Sequence, residues 1–401
     1  MKGLPNTLFL RKVLLNAVFA VFGAFVPALL SAQDHGHDHS APGHTHDSIQ
    51  VAAIAMDNGA VAEHAGEAAP AEGAKEKFNA GKLIMDHIGD EHGWHLWGHT
   101  SLPLPVILYN SERGLSVFSS SRFDHGHKTY GGYALHEGHV VAVNDPDGTD
   151  AHHATVNEEL TKATWDISIT KNVMSLFISL AVLLIIFMSV AKAYTRRAGQ
   201  APTGLQNLVE PIILFVRDDV AKSAIGEKKY ERFMPYLLTA FFFIFLNNLM
   251  GLVPFFPGGA NLTGNIAVTL VLALITFIIV SVNGNKHYWG HIVAMPGVPG
   301  WVLGILTPVE ILGMFLKPFV LMIRLFANIT AGHIIALSFF SLIFVFGENS
   351  AGAGYGVSIM SLAFTVFMTM LELLVAFIQA YVFTFLSAMY IGSAVEEPHH
   401  H

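Results

Sequence analysis

From residue 173 onward the chain alternates long apolar runs with short polar breaks, and ahead of that point its pattern is different in kind. Val173 to Ala191 is 19 residues without a charge, enough for one bilayer crossing. A second run covers about Phe233 to Val253 and ends at Pro254-Phe255-Phe256-Pro257-Gly258-Gly259. A third covers about Ile266 to Val282. Two longer runs, about Val302–Phe346 and Val357–Ile391, flank Glu348-Asn349-Ser350-Ala351-Gly352-Ala353-Gly354, a turn signal. They read as the arms of an antiparallel helical hairpin. Each arm is longer than a straight crossing needs, so it tilts or runs partly along the surface. Between the first two runs, LQNLVEPIILFVRDDVAKSAIG sets apolar residues at helical spacing in a charged segment, the pattern of a helix lying on a membrane. The expectation is an all-α integral membrane protein over residues 166–395. It has five membrane-crossing helices plus a surface helix, ends in a long tilted hairpin, and is followed by a short tail at 396–401.

The first 165 residues divide into three. Residues 1–32 read as a secretory signal: Lys2, Arg11 and Lys12, then an apolar stretch from Val13 to Leu30, then Leu30-Ser31-Ala32 as a cleavage site. Residues 33–75 form a disordered histidine-rich tail, with His35, His37, His39, His44 and His46 among Asp, Gly and Ser, a composition that buries no core. Over 76–165, LPLPVILYN, LSVFSSS and GHVVAVN are short β-type runs separated by Gly, Asn and Asp, and KLIMDHIGDEHGWHLWG suggests an opening helical turn. This reads as a small external α+β module. Its histidines at 87, 92, 95, 99, 125, 127, 136 and 139 have no spacing specific to a metal site, so no metal and no cofactor are assigned.

Composition agrees: 52% of the 401 residues are apolar and 13% charged. With no cysteine, disulfides and thiolate metal sites are excluded. No basic cluster interleaved with aromatics points to nucleic acid. Lys and Arg set the orientation. Eight lie in 192–232, none in 254–265, Lys286 alone in 283–300, and none in 347–356. The basic segment 192–232 is therefore expected inside. This puts the N-terminal module outside an inner (plasma) membrane and the C-terminus in the cytoplasm.

The chemistry lies where polar residues interrupt the hairpin. Arg324 stands near the middle of LKPFVLMIRLFANITAGHIIA, with no acid within two helical turns. An arginine cannot shed its proton, and at mid-membrane it costs from about 2.5 to about 10 kcal/mol. By default such a residue marks an ion pathway. The second arm, MLELLVAFIQAYVFTFL, carries Glu372 and Gln379 on nearly one face. Antiparallel partners lie equally far from the bend. Arg324 then falls opposite Gln379, and His333 opposite Glu372, about one bend near Gly352.

RLFANITAGH followed by LELLVAFIQAYVF resembles subunit a of the F-type ATP synthase, the membrane-sector stator subunit, over about residues 170–395. The resemblance implies a non-catalytic, proton-translocating subunit that offers two offset half-channels to a ring of c subunits. Further implied partners are the lipid bilayer, the b-subunit peripheral stalk and, indirectly, the catalytic head. Arg324 matches the family's arginine, Asn328 the asparagine four residues on, and Gln379 the glutamine of the last helix. Histidine and acid at the other two positions stand in the mitochondrial order, with His333 and Glu372 expected to relay protons and Gln379 to orient Arg324. The second span, FLNNLMGLVP, also resembles the family, but some bacterial members carry an entry-channel aspartate where Gly251 stands. Asn247, Asn248 and Glu372 are the candidates to serve instead. The alternatives are a sodium-coupled version of the same subunit, or a metal-ion transporter. The latter would cluster acids and histidines at the centre of several spans, and Arg324 would repel its cargo.

Overall fold

A computed structural model of the chain describes residues 80–397, apart from 82–83, 85–87, 98–99, 137, 198, 254–255, 294 and 296–297. The expected signal, the histidine-rich tail, and His87 and His99 lie outside the described residues. The N-terminal module is built from β1 (Gly93–Trp97), β2 (Thr100–Pro103), β3 (Pro105–Asn110), β4 (Gly114–Ser119), β5 (Tyr133–His136), β6 (His139–Ala142), one helical turn α1 (Glu158–Lys162) and β7 (Thr164–Asp166). All pairings are antiparallel: ribbons β1-β2 and β5-β6, and a three-stranded sheet in the order β4-β3-β7. Alternation along β3 drives its burial. Val106 and Leu108 point into a core with Phe123, Tyr133 and Ala142, while Tyr109 is exposed. Ile84 and Ile88, in the opening of the stretch expected to begin with a helical turn, are helical, and Gly93–Trp97 beyond them is strand.

The module is bonded to the start of α2 (Lys171–Arg196). Asp90 accepts hydrogen bonds from the Thr170 hydroxyl (2.9 Å) and the Asn172 N–H (3.0 Å), and the Lys171 N–H donates to Glu91 O (2.9 Å). The segment read as a surface helix is helical. α3 (Leu205–Phe215) continues through a wider π turn, Val216–Lys222, to Ile225. Its buried face is Val209, Ile213, Val216 and Val220. There follow α4 (Tyr230–Leu252), α5 (Ile266–Asn283), α6 (Lys286–Val293), α7 (Gly300–Asn349) and α8 (Ala351–Val395). Five of these, α2, α4, α5, α7 and α8, are long and apolar enough to cross a membrane. The sequence placed only a loop at 283–300. There α6 forms because Asn285 accepts the Tyr288 N–H (2.7 Å) at its start, and Ile292 buries one face.

Contacts gather at two ends of the bundle. At one, the module meets the loop after α4: the Trp94 indole N–H donates to Gly258 O (3.1 Å). At the other, the Asn285 N–H donates to Ala394 O (2.9 Å), and Lys229 reaches Val395 O and the Glu397 carboxylate, both at 2.7 Å. Successive crossings therefore alternate.

The hairpin arms are α7 and α8. At 50 residues α7 is about 75 Å long, well over twice a hydrocarbon core of about 30 Å. The most apolar stretch of α4 is 61% buried, against 11% for α7 and 17% for α8, so the hairpin turns most of its surface outward. The bend is sharper than the sequence suggested. Ser350 alone is extended, with φ −162° and ψ 144°. The glycines do a different job: a Cβ on Gly354 would lie 2.8 Å from Gly347 Cα, so glycine lets the arms touch beside the bend. Farther along, Phe339 stacks on Phe364 at 5.1 Å, and the Ser361 hydroxyl donates to Phe339 O.

Candidate functional site

That register brings His333 of α7 to Glu372 of α8. His333 Nδ1 lies 3.5 Å from Glu372 Oε1, with the side chains 15% and 12% exposed. This is ion-pair range but long for a hydrogen bond, and Glu372 Oε1 is buried without a hydrogen-bond partner. A buried carboxylate oxygen left without a partner is costly. Gly332 makes room for it: a Cβ there would sit 3.0 Å from Glu372 Oε1.

The other ring nitrogen faces a third helix. A Cβ on Gly251, near the end of α4, would lie 3.3 Å from His333 Nε2 and 3.6 Å from Ala260 O. One turn earlier, Asn248 is buried and holds three elements together. Its amide donates to Ala376 O of α8 (3.3 Å), and its oxygen accepts from the Thr263 hydroxyl (2.6 Å). Ala376 is one turn from Glu372. The neighbouring Asn247 is also buried but turned elsewhere: it donates to Phe243 O of its own helix (2.8 Å), and its Oδ1 has no partner. The structure thus joins Asn248, and not Asn247, to the surroundings of the pair. Thr263 and the close approach at Gly251 were not legible as site features, because both depend on a loop folding back onto α4.

Arg324 is exposed on the outward face of α7, with Asn328 one turn on and the small residues Ala327 and Ala331 beside them. Arg324 has no hydrogen bond or salt bridge among the described residues. Gln379, expected opposite it, is buried (7% exposed), and no hydrogen bond joins the two. Nine residues, about 13 Å of helix, separate Arg324 from His333. On the other side of Arg324, away from the bend, a cleft is lined by Thr276, Tyr288, Met314, Lys317, Leu321 and Tyr390. Lys317 Nζ lies 5.6 Å from the Tyr390 ring centre. Among the described residues no cluster of three or more His, Asp or Glu is placed to hold a metal ion. His92 instead pairs with Asp166 at 2.9 Å.

Residues 173–392, which cover nearly all of α2 through α8, match the profile of the ATP synthase A chain. The chain belongs to that family. ATP synthase subunit a of Chlorobium phaeobacteroides (strain DSM 266) is 36% identical over 392 residues, covering 96% of this chain and 94% of the relative. That of Chloroherpeton thalassium is 42% identical over 277 residues, covering 64% and 80%. ATP synthase subunit a 2 of Prosthecochloris aestuarii is 46% identical over 242 residues, covering 59% and 71%. Residues 83–167 match a domain of unknown function, DUF8433. Family membership makes this a multi-pass membrane subunit of the ATP synthase with an ion-translocating stator role, not itself the catalytic part.

Proposed function

We propose that this subunit passes protons between the two sides of the membrane and the carboxylates of a c-subunit ring, by two half-paths that Arg324 keeps apart. The observation that carries this reading is the order along the hairpin. The His333–Glu372 pair lies toward the bend, the cleft at Lys317 and Tyr390 lies toward the open ends, and Arg324 lies between them on the outward face. A ring carboxylate is neutral while it faces lipid, because a bare carboxylate there is too costly. Beside Arg324 it ionises, since an opposite charge in a low dielectric favours the charged form. Its proton leaves by one half-path, and the next site is reprotonated from the other.

His333 and Glu372 serve the module-side half-path. An imidazole and a carboxylate can exchange a proton across a short gap. Asn328 lines the route one turn from Arg324. Arg324 blocks a direct leak, because a permanent cation repels a hopping proton. The distribution of Lys and Arg supports a module outside and a C-terminus in the cytoplasm, with α3 along the inner surface. The outward face of the hairpin meets the ring, and the peripheral stalk and catalytic head complete the complex.

ATP-driven proton pumping by membrane vesicles, followed with a pH-sensitive dye, tests this reading. An assembled complex carrying Arg324→Ala that still pumps at the parental rate would overturn it.

A further inference from the structure

The module at residues 80–166 is not an independent appendage. Asp90 and Glu91 fasten it to the first turn of α2, and three residues later Trp94 reaches the loop between α4 and α5. Trp94 is 2% exposed. Its N–H bonds Gly258 O, and its ring meets Phe256 edge-on at 5.2 Å.

That loop closes over the relay pair. The Gly259 N–H donates to Met250 O (3.3 Å), and a Cβ on Gly258 would collide with Val253 O at 2.3 Å, so the loop is pressed onto the end of α4. Beyond it Ala260, Asn261, Leu262 and Thr263 are all buried. The Ala260 carbonyl and His333 Nε2 converge on Gly251. Thr263 bonds Asn248, which bonds α8 one turn from Glu372. Thr330, three residues before His333, donates to Gly264 O (3.4 Å). A single uncharged loop therefore touches one hairpin arm within a turn of His333 and reaches the other through Asn248, within a turn of Glu372, and Trp94 holds the middle of that loop.

We propose that the module is a cap on the module-side proton path, with Trp94 the positioning residue that keeps the 256–265 loop closed over the His333–Glu372 pair. A closed loop limits how water reaches the pair, so Trp94 sets how the relay meets the bulk. The proposal rests on the relay reading above.

The chain has no cysteine, so Ala260→Cys supplies its only thiol. Assembled complex in vesicles carrying this change is exposed to a water-soluble maleimide on the module side, and its pumping is recorded against pH. With Trp94 present the thiol labels slowly. Trp94→Phe keeps an aromatic ring but lacks the donor, and labels about fivefold faster, the worth of one lost hydrogen bond. Trp94→Ala labels faster still, and in both variants the pH midpoint of pumping moves. A merely structural role would lower the amount of complex at an unchanged midpoint. Unchanged labelling in assembled Trp94→Ala, or faster labelling with an unmoved midpoint, overturns the cap. His333→Ala run in parallel separates the two ideas. Full pumping there sinks the relay, whereas a dead His333→Ala beside unaltered Trp94 variants sinks the cap alone.

Discussion

His333 Nδ1 stands 3.5 Å from Glu372 Oε1 across the hairpin, close enough to share a proton and too far to be locked in a short hydrogen bond. Removing either member leaves the other buried and alone. His333→Ala and Glu372→Gln should each cut pumping strongly, and the double change should cost little more than the worse single, because the groups act as one unit. The exchange His333→Glu with Glu372→His should recover more flux than the worse of its two component changes. Dye-monitored pumping by vesicles with matched complex content checks both. Additive losses without recovery in the exchange would show that the two do not share a path.

Arg324 makes no bond within the described chain, so its replacement leaves no broken internal pair. Arg324→Ala should assemble at near-normal levels and lose proton-driven ATP synthesis to background. Arg324→Lys should also be severely impaired, because an ammonium held away from water sheds its proton far more readily than a guanidinium. Synthesis rate per assembled complex is the measurement.

At Gly251 the space beside the imidazole is graded. Alanine would place its Cβ 3.3 Å from His333 Nε2, a contact the ring relieves by a small rotation, so a loss of about twofold is expected. Gly251→Val adds two methyl groups and should displace the ring from Glu372, lowering pumping toward the His333→Ala level. A valine variant as active as the parent would mean that ring position does not matter.

His92 and Asp166 make the module's stability depend on pH. Burial pushes His92 down, but its hydrogen bond to Asp166 and the charge there outweigh it and hold the imidazole above its ordinary value. Burial likewise pushes Asp166 up, yet His92 holds the carboxyl below its ordinary value. A raised histidine stabilises fully below its unfolded pKa and loses that contribution as pH climbs through the folded value. A lowered aspartate stabilises fully above its unfolded pKa and loses it as pH falls. Asp90 is raised by burial, so its own contribution is full below its unfolded pKa and is lost as pH climbs through the folded value. Support from the pair should therefore be complete between about pH 4 and pH 6.5 and fade above. Protease cleavage of the module in membrane-bound complex should accelerate as pH is raised from about 6 to about 8.5, and His92→Gln should flatten that dependence.

The hairpin was legible because its signals are arithmetic. Polar residues in apolar helices are few, and equal distances from a bend pair them without any other knowledge. The same reasoning put the bend near Gly352, two residues from Ser350, which turns the chain; glycines signal both turns and close helix contacts, and here Gly347 and Gly354 serve contact. β5 and β7 were missed because strands of three or four residues exist through their partners, and β7 pairs with β3 across more than fifty residues. The same holds at the site. Arg324, His333 and Glu372 stand out in sequence, but the contacts of Trp94 with Gly258 and of Gly251 with His333 join segments that no local pattern relates.

The outward face of the hairpin bears on how long a solitary copy survives. A chain without its neighbours turns a permanent cation and most of two long helices toward hydrocarbon. The cation alone costs from about 2.5 to about 10 kcal/mol, comparable to the whole stability of an ordinary domain. Such a copy should be short-lived in the membrane. Cellular abundance of this subunit should then follow its assembly into the complex rather than the rate of its own translation.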